Sequence, residues 1–161
     1  MARMRIGQAI DIHPLESGRP LVLGGVEIDS PKGLKGHSDA DVLLHAIAES
    51  ILGALALGDL GANFPDTDPK YKGIASTLLL DEVYRKMREK KYHIGNVDAT
   101  IMAEKPHLAG YKAQMTENVA SILHCDVDQI SIKATRGEKL GFVGRQEGMT
   151  ALAVCLLEED E

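Results

Sequence analysis

Apolar positions along the chain change period several times, and each change marks an element. From Arg3 to His13, Ile6, Ile10 and Ile12 alternate among β-compatible neighbours, which predicts a strand stopped by Pro14. In that strand Asp11 and His13, at i and i+2, project from one face. Pro20 to Ile28 (PLVLGGVEI) predicts a hairpin turning at Gly24-Gly25, followed by a loop rich in Gly and Lys. Asp39 to Leu57 shows a helical period, with Ser38 or Asp39 placed to cap it and Ser38–Asp41 resembling a weak capping box. After Gly58 comes GDLGANFPDTDPKYKG, whose Gly, Pro and Asp content predicts a mobile flap. Ile74–Lys91 and Gly110–Leu123 predict two further helices, and Asn96–Glu104, Ile130–Arg136 and Met149–Leu157 three strands. The order β-β-α-α-β-α-β-β predicts an α/β or α+β sandwich, with one face of a mixed β-sheet covered by about three helices.

Length adds that 1–161 form a single domain, and 44% hydrophobic residues supply one sizeable core. Aromatics are 4% and Trp is absent, so that core is aliphatic. A net charge of -6 argues against a broad nucleic-acid footprint. An acidic chain that handles phosphates needs metal ions, backbone N–H groups and a few placed cations. Cys125 and Cys155 form no CxxC pair and are expected as buried thiols in a reducing compartment. No segment has the roughly 20 apolar residues of a membrane span, which sets the expectation of a cytoplasmic protein.

His45 interrupts an otherwise apolar helix, with Asp41 and Glu49 one turn to either side. Taken alone, this stripe reads as a solvated helix face. Joined to Asp11 and His13, it becomes two imidazoles and a carboxylate, a set that suits Zn²⁺ and leaves a coordination position open for substrate. Mn²⁺, Co²⁺ and Fe²⁺ also suit it. Asp41 is placed to orient a ligating imidazole, and the helix start near His37, Ser38 and Asp39 offers N–H groups to an anion. The run KATRGEKLGFVGRQEG lacks the Gly-Lys-Ser/Thr ending of a P-loop. Within it Glu138 reads either as an exposed surface charge or as a ligand for a second cation such as Mg²⁺.

Side by side, IGQAIDIHP, LGGVEI, GHSDADVLLHAIAESILGALALGDLG, FPDTDPKYKG, GNVDATIMAEKPHL, KATRGEKLGF and GRQEG resemble the 2-C-methyl-D-erythritol 2,4-cyclodiphosphate synthase family, in its order and over nearly the full length. The resemblance implies a metal-dependent phosphorus-oxygen lyase of non-mevalonate isoprenoid biosynthesis. It would convert 4-diphosphocytidyl-2-C-methyl-D-erythritol 2-phosphate into the cyclic 2,4-diphosphate and CMP. It implies zinc on Asp11, His13 and His45, and Mg²⁺ or Mn²⁺ bridging the substrate diphosphate at Glu138. By the same resemblance His37 and Ser38 contact phosphate, Asp59 the methylerythritol hydroxyls, and Asp66 and Lys72 the substrate's 2-phosphate end. Ala103, Lys105, Pro106, His107 and Leu108 form a cytosine pocket, with Ala134, Thr135 and Arg136 beside the nucleotide phosphates. It further implies a homotrimer with active sites between subunits, and a central cavity lined by Phe142, Arg145 and Glu147 that can hold an isoprenoid diphosphate.

Three positions depart from the family pattern. Ile10 stands where an aromatic residue is usual, Arg136 where a Thr is usual, and His107 where a Lys is common. None is a metal ligand. Two other functions share these motifs: a non-catalytic trimeric sensor of isoprenoid diphosphates or nucleotides, and a general metal-dependent phosphohydrolase that would release free phosphate.

Overall fold

The computed structural model describes Met1 and residues 3–161. Among the described residues it has seven strands and five α-helices in a mixed α/β arrangement. Strand β1 (Met4–Ser17) leads into a small hairpin, β2 (Leu21–Leu23) and β3 (Val26–Ile28), and then a short strand β4 (Lys32–Leu34). Helix α1 (Val42–Ala54), the four-residue α2 (Leu60–Asn63) and α3 (Ser76–Glu89) follow. The chain continues through β5 (Tyr92–Met102), α4 (Lys112–Leu123), β6 (Ile130–Thr135), the short α5 (Gly141–Gly144) and β7 (Gly148–Glu159).

The main sheet runs β4-β1-β7-β5-β6. β5 and β6 are parallel and the other pairings antiparallel, so the sheet is mixed. Asp11 pairs with Ala151, so odd-numbered residues of β1 and β7 share a face. Gly7, Ala9, Ala151 and Ala153 are buried on it. Their small size lets α1 lie close: a Cβ on Gly7 would sit 1.8 Å from the Ser50 carbonyl oxygen. Against them α1 is buried almost all round, from Val42 to Leu52, and α3 and α4 add Leu79, Leu80, Val83, Met87, Met115 and Val119 to the core. The even-numbered face has no such cover. Ile6, Ile10, Ile12, Leu152 and Val154 stand exposed on it.

Several expected boundaries move. Pro14 does not stop β1: it is the last residue of β1 paired with β7, where the strand crosses to β4. Its carbonyl accepts the Lys35 N–H at 2.9 Å and the next N–H, on Leu15, reaches Glu147 at 2.9 Å. A missing donor costs little at such a switch. The hairpin turns at Gly24-Gly25 as expected, with φ of 59° and 73° there. Helix α1 is capped by neither Ser38 nor Asp39. Ala40 takes φ 57°, which delays the helix until Asp41, whose carboxylate accepts from the Leu44 N–H at 3.0 Å. Its far end lies at Ala54, short of Gly58, because Ala56 turns left-handed at φ 56°. The expected flap holds α2 and a 3₁₀ turn at Pro69–Tyr71. It is tied back by Leu60 N–H to Glu49 at 2.9 Å and Gly73 N–H to His37 at 3.0 Å. Cys155 is buried, whereas Cys125 is half-buried.

Candidate active site

The strand period and the close seat of α1 bring Asp11, His13 and His45 together. Asp11 Oδ2 lies 2.9 Å from His13 Nε2 and 3.2 Å from His45 Nδ1, and the two imidazole nitrogens are 3.3 Å apart. Two ligands each about 2.0 Å from a tetrahedral ion stand roughly 3.3 Å apart, so the triangle has the edges such an ion requires. Among the described residues this is the group of acidic, His and Cys side chains able to hold a metal ion. His13 Nδ1 lies 3.0 Å from the Lys35 carbonyl, which can only accept, so Nδ1 carries a proton and, in the neutral ring, Nε2 presents its lone pair to the centre. Thr150 donates to the Asp11 carbonyl at 2.8 Å and fixes the strand beneath the carboxylate.

Charge at the centre is already arranged for a cation. Burial works against an ionised Asp11, but hydrogen bonds and charge from His13 and His45 prevail and hold the carboxyl down at about 2. His13 is shifted upward: burial opposes its protonated form, and Asp11 beside it outweighs the burial.

Asp41 does not orient an imidazole, as its sequence position suggested. It is fully buried, and its oxygens take the N–H groups of Gly24 at 3.0 Å, Gly25 at 2.8 Å and Leu44. Burial pushes its carboxyl up to about 6, with those three donors pulling the other way. It ties the β2–β3 turn to the start of α1.

A cavity of about 360 Å³ opens beside the metal group. His37, Ser38 and Asp66 line it with Asp11, His13 and His45, and Leu60, Phe64, Tyr71 and Ile74 supply apolar walls that the motifs did not single out. Asp59 and Lys72 are not among its lining residues: Asp59 caps α2 through the Ala62 N–H at 2.8 Å, and Lys72 is exposed.

At the C-terminal ends of the parallel strands β5 and β6 a second cavity, of about 150 Å³, gathers Ala103, Pro106, His107, Leu108, Ala134, Thr135 and Arg136. Glu104, Ala109 and Lys112 complete it. A cis peptide joins Lys105 to Pro106, and Lys105 lines an adjoining cavity of about 450 Å³ with Lys32 and Lys139. Arg136 and His107, two of the departures from the family pattern, touch: the guanidinium lies 3.2 and 3.4 Å from the two ring nitrogens. Glu138 is exposed at φ 55° in the loop before α5, outside the metal group. Phe142 is half-exposed on α5, and Arg145 pairs with Glu147 at 2.6 Å. Neither thiol has nucleophilic character: burial, with Asp126 and Asp128 adding to it, pushes Cys125 up to about 11, and burial raises Cys155.

A mixed α/β chain with two imidazoles and a carboxylate around an open centre is, by class, a metal-dependent enzyme. The family is more particular. Over residues 4–158 the chain matches the model of the YgbB family, and it belongs to that family. It is 58% identical over 156 residues to the 2-C-methyl-D-erythritol 2,4-cyclodiphosphate synthase of Chloroherpeton thalassium, covering 97% of this chain and 99% of that one. With the synthase of Clostridioides difficile the identity is 54% over 154 residues, 96% of each chain. Among solved structures, the bifunctional IspDF from Campylobacter jejuni matches with a TM-score of 0.95 at 43% identity, covering all of this chain (100%) and 44% of that longer one. IspF of Plasmodium falciparum, in a CDP complex, matches with a TM-score of 0.87 at 34% identity over 98% of this chain and 97% of that one.

Proposed function

We propose that this chain cyclises 4-diphosphocytidyl-2-C-methyl-D-erythritol 2-phosphate to 2-C-methyl-D-erythritol 2,4-cyclodiphosphate, releasing CMP, in non-mevalonate isoprenoid precursor synthesis. The observation that carries this reading is the Asp11–His13–His45 triangle, lining a cavity in a chain of this family. An oxygen of the substrate's own 2-phosphate attacks the β-phosphorus as the bond to the CMP oxygen breaks. No protein nucleophile is required, and the raised thiols offer none. The chain's task is to fold the substrate so that these atoms meet, and to neutralise charge as it shifts.

Asp11, His13 and His45 would hold zinc, and Glu138 would hold Mg²⁺ or Mn²⁺; when bound, these ions would supply Lewis-acid stabilisation of the phosphoryl oxygens. His37 and Ser38 grip phosphate at the start of α1. Asp59, Asp66 and Lys72, from the segment between α1 and α3, bind the methylerythritol end. Ala103, Lys105, Pro106, His107 and Leu108 receive the cytosine, and Ala134, Thr135 and Arg136 the nucleotide phosphates. Arg136, in contact with His107, offers phosphate more charge and a longer reach than the Thr usual at its position.

The metal cavity and the β5–β6 cavity share no lining residue, which supports a complete site built from two copies. The bare apolar face of Ile6, Ile10, Ile12, Leu152 and Val154 supports burial between copies. The assembly is a homotrimer in the cytoplasm. At its centre, Phe142, Arg145 and Glu147 line a cavity for an isoprenoid diphosphate. The test is to incubate the protein with the cytidyl substrate, zinc and Mg²⁺, and to follow CMP by ion-exchange chromatography. The wild type releases CMP and His45→Ala, folded by circular dichroism, does not; equal release by both would defeat the ligand assignment.

A further inference from the structure

The two ring nitrogens of His45 have different neighbours. Nδ1 faces Asp11 and His13, while Nε2 lies 2.8 Å from Ser76 Oγ and 3.1 Å from Ser38 Oγ. Ser76 opens α3, 31 residues further along the chain, and is fully buried. Its hydroxyl is hydrogen-bonded to Asp39 Oδ1, and its backbone N–H donates to Asp39 Oδ2 at 3.0 Å.

The proton count then has one solution. A hydroxyl has a single proton to give, and an ionised carboxylate can only accept. Ser76 therefore donates to Asp39, and its oxygen is left to accept from His45. That makes Nε2 the N–H nitrogen of His45 and leaves the Nδ1 lone pair directed at the metal group. We propose that Ser76 and Asp39 are positioning residues that set the tautomer and ring orientation of His45 through a His45-to-Ser76-to-Asp39 hydrogen-bond chain. This rests on the metal-centre reading given above and extends it by one shell of residues.

Two features give the chain of bonds a wider role. Asp39 Oδ1 also accepts the Asp41 N–H at 3.1 Å, and the Asp39 N–H reaches the Ile74 carbonyl at 3.4 Å, so the starts of α1 and α3 meet at one carboxylate. The segment carrying Asp59, Asp66 and Lys72 ends there. Ser38, in turn, accepts the Ala40 N–H at 3.1 Å, and with His45 satisfied by Ser76 its own proton is free for an anion in the cavity.

The experiment measures zinc affinity by competition with a chelating dye, together with the proton position on His45 from long-range ¹H–¹⁵N correlation of the zinc-loaded protein. Wild type should show His45 protonated on Nε2. Ser76→Ala should bind zinc roughly 10–100-fold more weakly, the usual cost of losing a partner of a metal-ligating imidazole. Ser76→Thr, which keeps the hydroxyl, should recover most of that loss. Asp39→Asn keeps the shape but has one oxygen where the carboxylate has two, so it cannot accept from the Ser76 hydroxyl, the Asp41 N–H and the Ser76 N–H together; it should weaken zinc binding as Ser76→Ala does, and gives the same reading should that variant not fold. Zinc affinity unchanged in folded Ser76→Ala or in Asp39→Asn, or His45 metallated through Nε2, would overturn the proposal while leaving the cyclase reading intact. Failure of the wild type to bind zinc at all would instead overturn the metal centre on which it rests.

Discussion

Replacing Asp41 by Ala removes a group that sequence position linked to the metal and that the structure links to folding. Three backbone donors, on Gly24, Gly25 and Leu44, end on this one buried carboxylate. Loss of the helix cap costs about 1 kcal/mol. The Gly24 N–H is buried and would be stranded, at about 1–3 kcal/mol, whereas the half-buried Gly25 can turn to water. Part of this is returned because a buried charge is also removed, a cost already visible in the upward push of Asp41 to about 6. The net expectation is a destabilisation of about 1–3 kcal/mol, or roughly 2–12 °C in Tm for a chain of this size. Thermal and urea unfolding, run in chelator at matched protein concentration, read it directly. Amide exchange at Gly24 and Gly25 should speed up in the same variant as the turn loosens. A variant within about 0.5 kcal/mol of wild type, with exchange at those glycines unchanged, would refute the assignment of Asp41 as the tie between hairpin and helix.

Two further outcomes are expected. In zinc-free protein Asp11 and His13 stabilise each other, and each limits the pH range. The depressed Asp11 contributes stability above its ordinary 3.8 and loses it as pH falls through about 2; the raised His13 contributes below its ordinary 6.5 and loses it as pH rises through its higher value. The pair's contribution, read as the Tm difference between wild type and Asp11→Asn in chelator, should therefore be largest between about pH 4 and 6.5; a difference that does not shrink as pH rises to 8 would contradict this. Val154→Asp, on the bare sheet face, should yield monomer by light scattering where the proposed assembly is a trimer, and abolish turnover while leaving metal binding intact; a fully trimeric, active variant would remove that face from the proposed interface.

Strand parity made the metal group legible: Asp11 and His13 had to share a face, and His45 was the polar interruption of an apolar helix. The hairpin was legible too, because Gly-Gly between apolar runs admits the positive φ values found there. What stayed hidden depended on single dihedrals or on distance along the chain. Ala40 at φ 57° moves the cap from Ser38 or Asp39 to Asp41, and an Ala gives no sign of it. Pro14 reads as a stop unless the switch of partner strand is known. Ser76 lies far from His45 in sequence, and only the packing of α3 against α1 brings them together. The cavity at the ends of β5 and β6 was reached through family resemblance, since local pattern alone does not bring residues 103–108 to 134–136; their parallel pairing does.

In the proposed cyclisation the attacking oxygen comes from the substrate's own 2-phosphate and not from water. Turnover of the cytidyl substrate in ¹⁸O-enriched water, followed by ³¹P NMR, tests it most directly. Cyclisation should give the paired resonances of a cyclic diphosphate together with CMP, and neither product carrying the isotope shift of ¹⁸O. Inorganic phosphate, or a linear phosphate product shifted by ¹⁸O, would contradict it.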